Sequence, residues 1–247
     1  MAAKATLDRW LLIPDCHVPY QDKAAFALMI RAARAAGIKK AVILGDFMDF
    51  YSVSSHSKNP HRASMLQWEV DEGNLVMDAL ERVFDEVIFI EGNHEERLRR
   101  YLEDKAPALF DTVRVEKLFR FKERGWKYVP YKTYHKLGKL HITHDLGKAG
   151  KYAHYDAMAS FQGNAIIGHT HRIGYAVEGS VRGKAHIGAM FGWLGDFDQV
   201  DYMHQARARR DWAHGFGIAY FEPDGCVHLV PIPIVNGKVV VEGKLVR

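Results

Sequence analysis

Cysteine is scarce in this chain of 247 residues: Cys16 and Cys226 are the only two. Two thiols do not make a disulfide framework, which agrees with a reducing compartment. Long apolar runs are missing too, and the longest fall far short of the roughly 20 residues that a membrane-spanning helix needs. Met1 to Trp10 lack the apolar core of a secretory signal. A cytoplasmic protein with no membrane partner is therefore expected. No repeat, low-complexity tract or linker divides the sequence, so residues 1–247 read as one domain. Nor does one sign of charge dominate. A net charge of +4 and a pI near 8.9 are compatible with a polyanionic partner without requiring one.

What the sequence does have is a recurring unit, a short apolar run that ends in polar, ligand-type residues. The central example is Gly45-Asp46-Phe47-Met48-Asp49, which follows Ala41-Val42-Ile43-Leu44. Gly45 lets the backbone turn sharply, and Asp46 then projects from a strand end, where ligand sites of α/β proteins collect. Four other stretches repeat the unit: Asp15-Cys16-His17, Gly92-Asn93-His94-Glu95, His144-Asp145 and Gly168-His169-Thr170-His171. Any one of these polar residues could simply cap a turn. An ordered set after five apolar runs is not explained that way. Together the stretches supply carboxylate, imidazole and amide ligands suited to a pair of divalent transition metals. Cys16, between two candidate ligands, points away from both and reads as a small packed residue.

The chain in order alternates strand and helix in its first half. Arg9 to Pro14 reads as a strand, Lys23 to Ala36 as a helix capped by Asp22 and stopped at Gly37, and Lys40 to Leu44 as a second strand. Phe50 to His61 reads as a loop overhanging the site, Ser64 to Phe84 as one or two helices, and Glu86 to Ile90 as the third strand. Glu95 to Asp104 is helical, with Arg97, Arg99 and Arg100 close to the site. Ala106 to Tyr134 holds a helix and then a strand at Trp126 to Val129. Strands dominate afterwards: Lys139 to Thr143, Ala165 to Ile167, Ala185 to Ala189, Gly217 to Phe221 and Val227 to Ile232. Pro223-Asp224-Gly225 reads as a hairpin turn, and Asn236-Gly237 as a type I′ turn. Two sheets packed face to face with helices outside is the simplest arrangement.

The five motifs in this order, from residue 15 to residue 171, resemble the calcineurin-like metallophosphoesterase superfamily. The resemblance implies an α/β fold, a four-layer αββα sandwich of two packed mixed sheets flanked by helices. It implies that Asp15, His17 and His171 hold one metal, that Asn93, His144 and His169 hold a second, and that Asp46 bridges them. A hydroxide between the metals would attack phosphorus, since coordination lowers the pKa of water to about 7. His94 would hydrogen-bond the phosphate or protonate the leaving oxygen, and Asp49 would orient His94. The sequence departs from the family pattern at Asp145, where a glycine is common; Asp145 would hydrogen-bond to a metal ligand or perturb the metal. His141 shares a strand face with Thr143 and is not expected to be a ligand. Oxygen and nitrogen ligation without thiolate fits Mn first, with Fe, Zn, Ni or Co as alternatives.

Of the 14 histidines, His56, His61, His135, His154, His186, His204, His214 and His228 read as surface or packed imidazoles. Arg207, Arg209 and Arg210, interleaved with Phe191, Trp193, Phe197, Tyr202, Trp212 and Phe216, suggest either a solvated helix face or a surface that holds phosphates and stacks bases. Gly188, Gly192 and Gly195 suggest a mobile loop carrying Trp193 over the site. The function expected is a dimetal phosphodiesterase or nuclease acting on DNA, RNA or nucleotides. The alternatives are a phosphomonoesterase using the same metals, and a non-catalytic metal-binding scaffold.

Overall fold

A computed structural model describes residues 7–56, 58–59, 65–179, 181, 183–199 and 211–247. His61, Ser64, Tyr202, His204, Arg207, Arg209 and Arg210 lie outside the described residues. The first half contains β1 (Asp8–Ile13), α1 (Lys23–Ala35), β2 (Lys40–Ile43), α2 (Leu66–Glu81), β3 (Glu86–Ile90), α3 (Glu95–Lys105), α4 (Val115–Leu118) and β4 (Lys127–Val129). The second half contains β5 (His135–Leu137), β6 (Leu140–Ile142), α5 (Ala153–Phe161), β7 (Asn164–Ile167), β8 (Ile173–Gly179), β9 (Ala185–Phe191), β10 (Gly215–Phe221), β11 (Val227–Pro233), β12 (Val239–Val241) and β13 (Lys244–Val246).

Local chemistry accounts for the boundaries. Asp22 caps α1 by accepting from the amides of Ala24 and Ala25, both at 2.9 Å, and Gly37 ends it in a left-handed turn. The segment after Met65 forms one helix, α2, rather than two. Asn236 and Gly237 both have positive φ, and Val235 and Lys238 exchange backbone hydrogen bonds across them, as a type I′ turn requires. Glu242 and Gly243 repeat that conformation between β12 and β13.

Two mixed sheets result. One has the order β11-β10-β1-β2-β3-β4, the other β5-β6-β7-β9-β8. β1 to β4 run parallel in the first, and β6, β7 and β9 run parallel in the second. Alternation along the strands divides the core into three layers. Leu12, Val42, Leu44, Ile88 and Ile90 face Ile142, Ile166, Ala189 and Phe191 between the sheets. On the outer face of the first sheet, Leu11, Ile13, Ile43 and Phe89 pack with the buried sides of α1, α2 and α3. On the outer face of the second, Ala165, Ile167 and Met190 pack with Ala153 and Ala157 of α5. The architecture is the four-layer αββα sandwich.

Removing side-chain volume between the sheets is expected to be costly. Leu12 is fully buried there, so Leu12→Ala should destabilise by about 2–5 kcal/mol. Val240→Ala, on an exposed side chain of β12, should stay within about 0.5 kcal/mol. Urea unfolding monitored by circular dichroism separates the two. Equal midpoints for the two variants would contradict the inter-sheet core.

Candidate metal centre

The five motifs sit at the C-terminal ends of β1, β2, β3, β6 and β7. Backbone bonds stitch the loops together. The amides of Cys16 and His17 donate to the Asp46 carbonyl, both at 3.0 Å, and the Gly168 amide donates to the His144 carbonyl at 3.0 Å. Two further bonds cross between the sheets. His144 Nδ1 meets the Leu44 carbonyl at 2.8 Å, and the His169 amide donates to Asp15 Oδ1 at 3.1 Å. His17, Asp46, His169 and His171 all have positive φ. Left-handed backbone at non-glycine residues costs of order 1–3 kcal/mol each and clusters at functional sites.

One group consists of Asp15, His17 and His171, whose ligand atoms lie within 4.8 Å of one another. His171 Nε2 is 3.1 Å from Asp15 Oδ2 and 3.1 Å from His17 Nε2. Asp15 Oδ2 and His171 Nδ1 are buried without a hydrogen-bond partner among the described residues. Burial holds His171 down at about 4 despite the adjoining Asp15 carboxylate. The ring is therefore neutral at pH 7, and the three ligand atoms stand together with two of the group's buried polar atoms unpartnered. A cation fits there.

A second group consists of Asp46, His144 and His169, with Asn93 Oδ1 3.0 Å from His144 Nε2. Because His144 Nδ1 donates to the Leu44 carbonyl, the Nε2 lone pair is left facing Asn93 Oδ1 and, at 3.3 Å, Asp46 Oδ2. Three acceptors face one another, and only a proton or a metal ion between them removes the conflict. Burial opposes protonation of His144, yet Asp46 raises it to about 10. The same field attracts a metal cation. Asp46 Oδ1 also accepts from the His94 amide at 2.8 Å, which fixes the orientation of the carboxylate.

His17, Asp49 and His94 form a third convergence, and here the carboxylate already has a guanidinium partner. Arg97 Nη1 donates to the Asp49 carbonyl at 2.9 Å and to its carboxylate at 3.3 Å, and Nη2 meets His94 Nε2 at 2.8 Å. Asp49 reaches His94 Nδ1 through its backbone carbonyl at 3.1 Å, closer than through its carboxylate at 3.6 Å. The same carboxylate is 3.3 Å from His17 Nδ1. It thus orients a candidate ligand as well as His94, in the usual carboxylate–imidazole pairing.

Glu95 is the residue whose role the sequence reading missed, although it stands in the Gly92-Asn93-His94-Glu95 motif. It is fully buried and accepts from the amides of Asp46 at 3.0 Å, Met48 at 2.7 Å and Gly92 at 2.8 Å. Burial and the nearby Asp46 charge push it up to about 8. Gly92 is required by the same crowding, because a Cβ there would overlap the Asp46 carboxylate. Its short distance in sequence from His94 was the available signal.

Other expectations resolve as follows. Asp145 turns away from the cluster, accepting from Tyr131 Oη and the Gly147 amide, both at 2.7 Å. Cys16 Sγ donates to the Pro14 carbonyl at 3.2 Å. His141 stacks on Phe161. Of the aromatics expected on a loop or surface, Phe191 and Phe216 are core. Trp193 does not overhang the site. It is buried and stacks on His171 with ring centroids 4.9 Å apart, forming a wall of the centre. Gly188 lies within β9, and Gly195 leaves room for the Trp193 ring.

The sequence profile described as calcineurin-like phosphoesterase matches residues 9–220. The chain belongs to this family. It is a phosphoester hydrolase, and its Asp and His clusters serve divalent metal binding. Two related sequences are the Gene 54 proteins of Mycobacterium phages L5 and D29. The first is 28% identical and the alignment covers 96% of this chain and 98% of the relative; the second is 27% identical, covering 95% and 97%. Among solved structures, Vacuolar Protein Sorting 29 from Cryptosporidium parvum shares the fold, with a TM-score of 0.50 and 13% identity. That match covers 98% of this chain and 96% of the other.

Glu95→Gln is expected to weaken metal binding by about 10–100-fold, because an amide nitrogen would replace one carboxylate oxygen and set a donor against the backbone N–H that oxygen accepted. Calorimetric titration of the metal-free phosphoesterase with Mn(II) measures this. Wild-type affinity in the variant would mean that Glu95 does not position the centre.

Proposed function

We propose that residues 1–247 work as one metallophosphoesterase domain that cleaves phosphodiesters of nucleic acid or nucleotides with two divalent ions. Asp15, His17 and His171 are assigned to one ion, Asn93, His144 and His169 to the other, and Asp46 to both. The observation that carries this assignment is the convergence of carboxylate, imidazole and amide ligand atoms in two largely buried groups at the sheet edges. Manganese is favoured by oxygen and nitrogen ligands without thiolate, with Fe, Zn, Ni or Co also suited to the set.

Bound at such a pair of groups, the ions supply charge neutralisation for the phosphate and lower the pKa of water to about 7. The protein's own groups do the rest. Asp49 holds His17 by its carboxylate and His94 by its carbonyl, so one residue orients both rings. His94 lines the pocket, about 280 Å³ in volume, together with Asp46, Asn93, His169 and His171. It is assigned to bind the phosphate or protonate the leaving oxygen. For that its Nε2 must exchange the Arg97 guanidinium for the substrate. Basic net charge, and Trp212 in the pocket lining, favour a nucleotide-like diester over a simple phosphate monoester.

Metal-stripped protein supplied with Mn, Ni, Co or Zn should hydrolyse bis-p-nitrophenyl phosphate faster than p-nitrophenyl phosphate. His94→Ala should lower kcat by about 10²–10⁴-fold. Turnover of the monoester alone would replace this reading with a phosphatase. Turnover of neither substrate, with metals bound, would replace it with a scaffold. Asp46→Asn should lower the bound-metal count by at least one, as read by elemental analysis; an unchanged count would break the bridging assignment.

A further inference from the structure

Arg172 is the one lysine or arginine, among the described residues, lining the pocket that holds Asp46, Asn93, His94, His169 and His171. Its guanidinium is fixed from one side. Nη1 donates to the carbonyls of Ala149 and Thr170, both at 3.1 Å. Nε is buried and has no hydrogen-bond partner among the described residues, and the Asp211 carboxylate stands 4.0 Å from it. The Nη1 bonds hold the guanidinium in place in the lining of the pocket, with no hydrogen bond to Nη2 among the described residues. A guanidinium so placed is pre-organised for a tetrahedral oxyanion.

Counting oxygens decides which oxyanion. The two non-bridging oxygens of a diester are those the candidate cations and His94 would take. The guanidinium is then better matched by the unshared oxygens of a neighbouring phosphate. We propose that Arg172 binds a second phosphate of the substrate, next to the scissile one, so that the preferred substrate is a diester carrying another phosphate, as in a polynucleotide. This inference rests on the phosphodiesterase reading. The other source of a spare oxygen is the third oxygen of a phosphomonoester, and substrates chosen in pairs separate the two.

The test compares Arg172→Gln and Arg172→Lys with wild type on thymidylyl-thymidine, with a terminal phosphate at its 5′ end, at its 3′ end, or with none. In wild type one terminal phosphate should raise kcat/KM. In Arg172→Gln that advantage should fall by about ten- to hundredfold, the range for a hydrogen bond between charged groups. Arg172→Lys should fall between, since it keeps the charge without the fork. A ratio between two substrates within one variant is insensitive to the fraction of folded protein. A second readout needs no metal. Thymidine 3′,5′-bisphosphate titrated calorimetrically into metal-free protein should bind about tenfold or more weakly to Arg172→Gln.

A terminal phosphate that gives wild type no advantage, or an advantage that Arg172→Gln retains, overturns the proposal and leaves Arg172 a packing residue. A selective loss on p-nitrophenyl phosphate relative to bis-p-nitrophenyl phosphate overturns it in favour of the third monoester oxygen. If no diester is cleaved while bisphosphate binding still depends on Arg172, the phosphate site stands and the phosphodiesterase reading fails.

Discussion

The carboxylate of Glu95 is the joint on which the centre depends. Its two oxygens gather the amides of Asp46 and Met48 from the loop after β2, and of Gly92 from the loop after β3. Those loops carry Asp46, Asp49, Asn93 and His94. Without a common acceptor, three buried N–H groups would be unsatisfied, and each such group costs about 1–3 kcal/mol. Gly92 completes the joint by being too small to collide with Asp46. One side chain at the start of a helix thus fixes the relative position of two loops, and so of the carboxylates and the imidazole they present.

The second constraint is electrostatic. Asp15 and Asp46 are almost wholly buried and lie among imidazoles whose lone pairs face them. A carboxylate removed from water is costly unless a cation accompanies it. Arg97 meets that need around Asp49 and His94. Around Asp15 and Asp46 no lysine or arginine does so among the described residues, and protonation of His144 is the protein's own partial answer. The contrast is one of compensation: the third group has a guanidinium on its carboxylate, and the other two have none among the described residues.

The sequence made the strands and their polar ends legible because both are local. Short apolar runs followed by Asp, His or Asn appear in a single window, and β1, β2, β3, β6 and β7 carry them within a residue or two. Elements with weak local signatures escaped. β8 is largely exposed along its length, so apolar alternation is faint, and β5 has only three residues. α5 lacks a side-chain cap and ends at Gln162 in a left-handed conformation rather than at a glycine. The partners of Glu95, Arg97 and Arg172 were illegible for another reason. Charged side chains near a motif look like solvated surface until the partners from other loops are known. Trp193 was misplaced for the same reason, since its neighbouring glycines suggest looseness and in fact admit its ring into the interior.

Each group of candidate ligands draws on both sheets. Asp15 and His17 come from the first sheet and meet His171 from the second. Asp46 and Asn93 come from the first and meet His144 and His169 from the second. No single sheet can assemble either group, so the spacing of ligands across the centre is set by how Leu12, Leu44 and Ile90 pack against Ile142, Ile166 and Phe191. Dense interiors resist small displacements, which is what a centre needs if two cations are to be held at a fixed separation. The bonds from His144 to the Leu44 carbonyl and from the His169 amide to Asp15 then lock the sheet edges at the site itself. The inter-sheet core is in this sense part of the metal centre, and a change that shifts one sheet against the other would disturb both groups of ligands together.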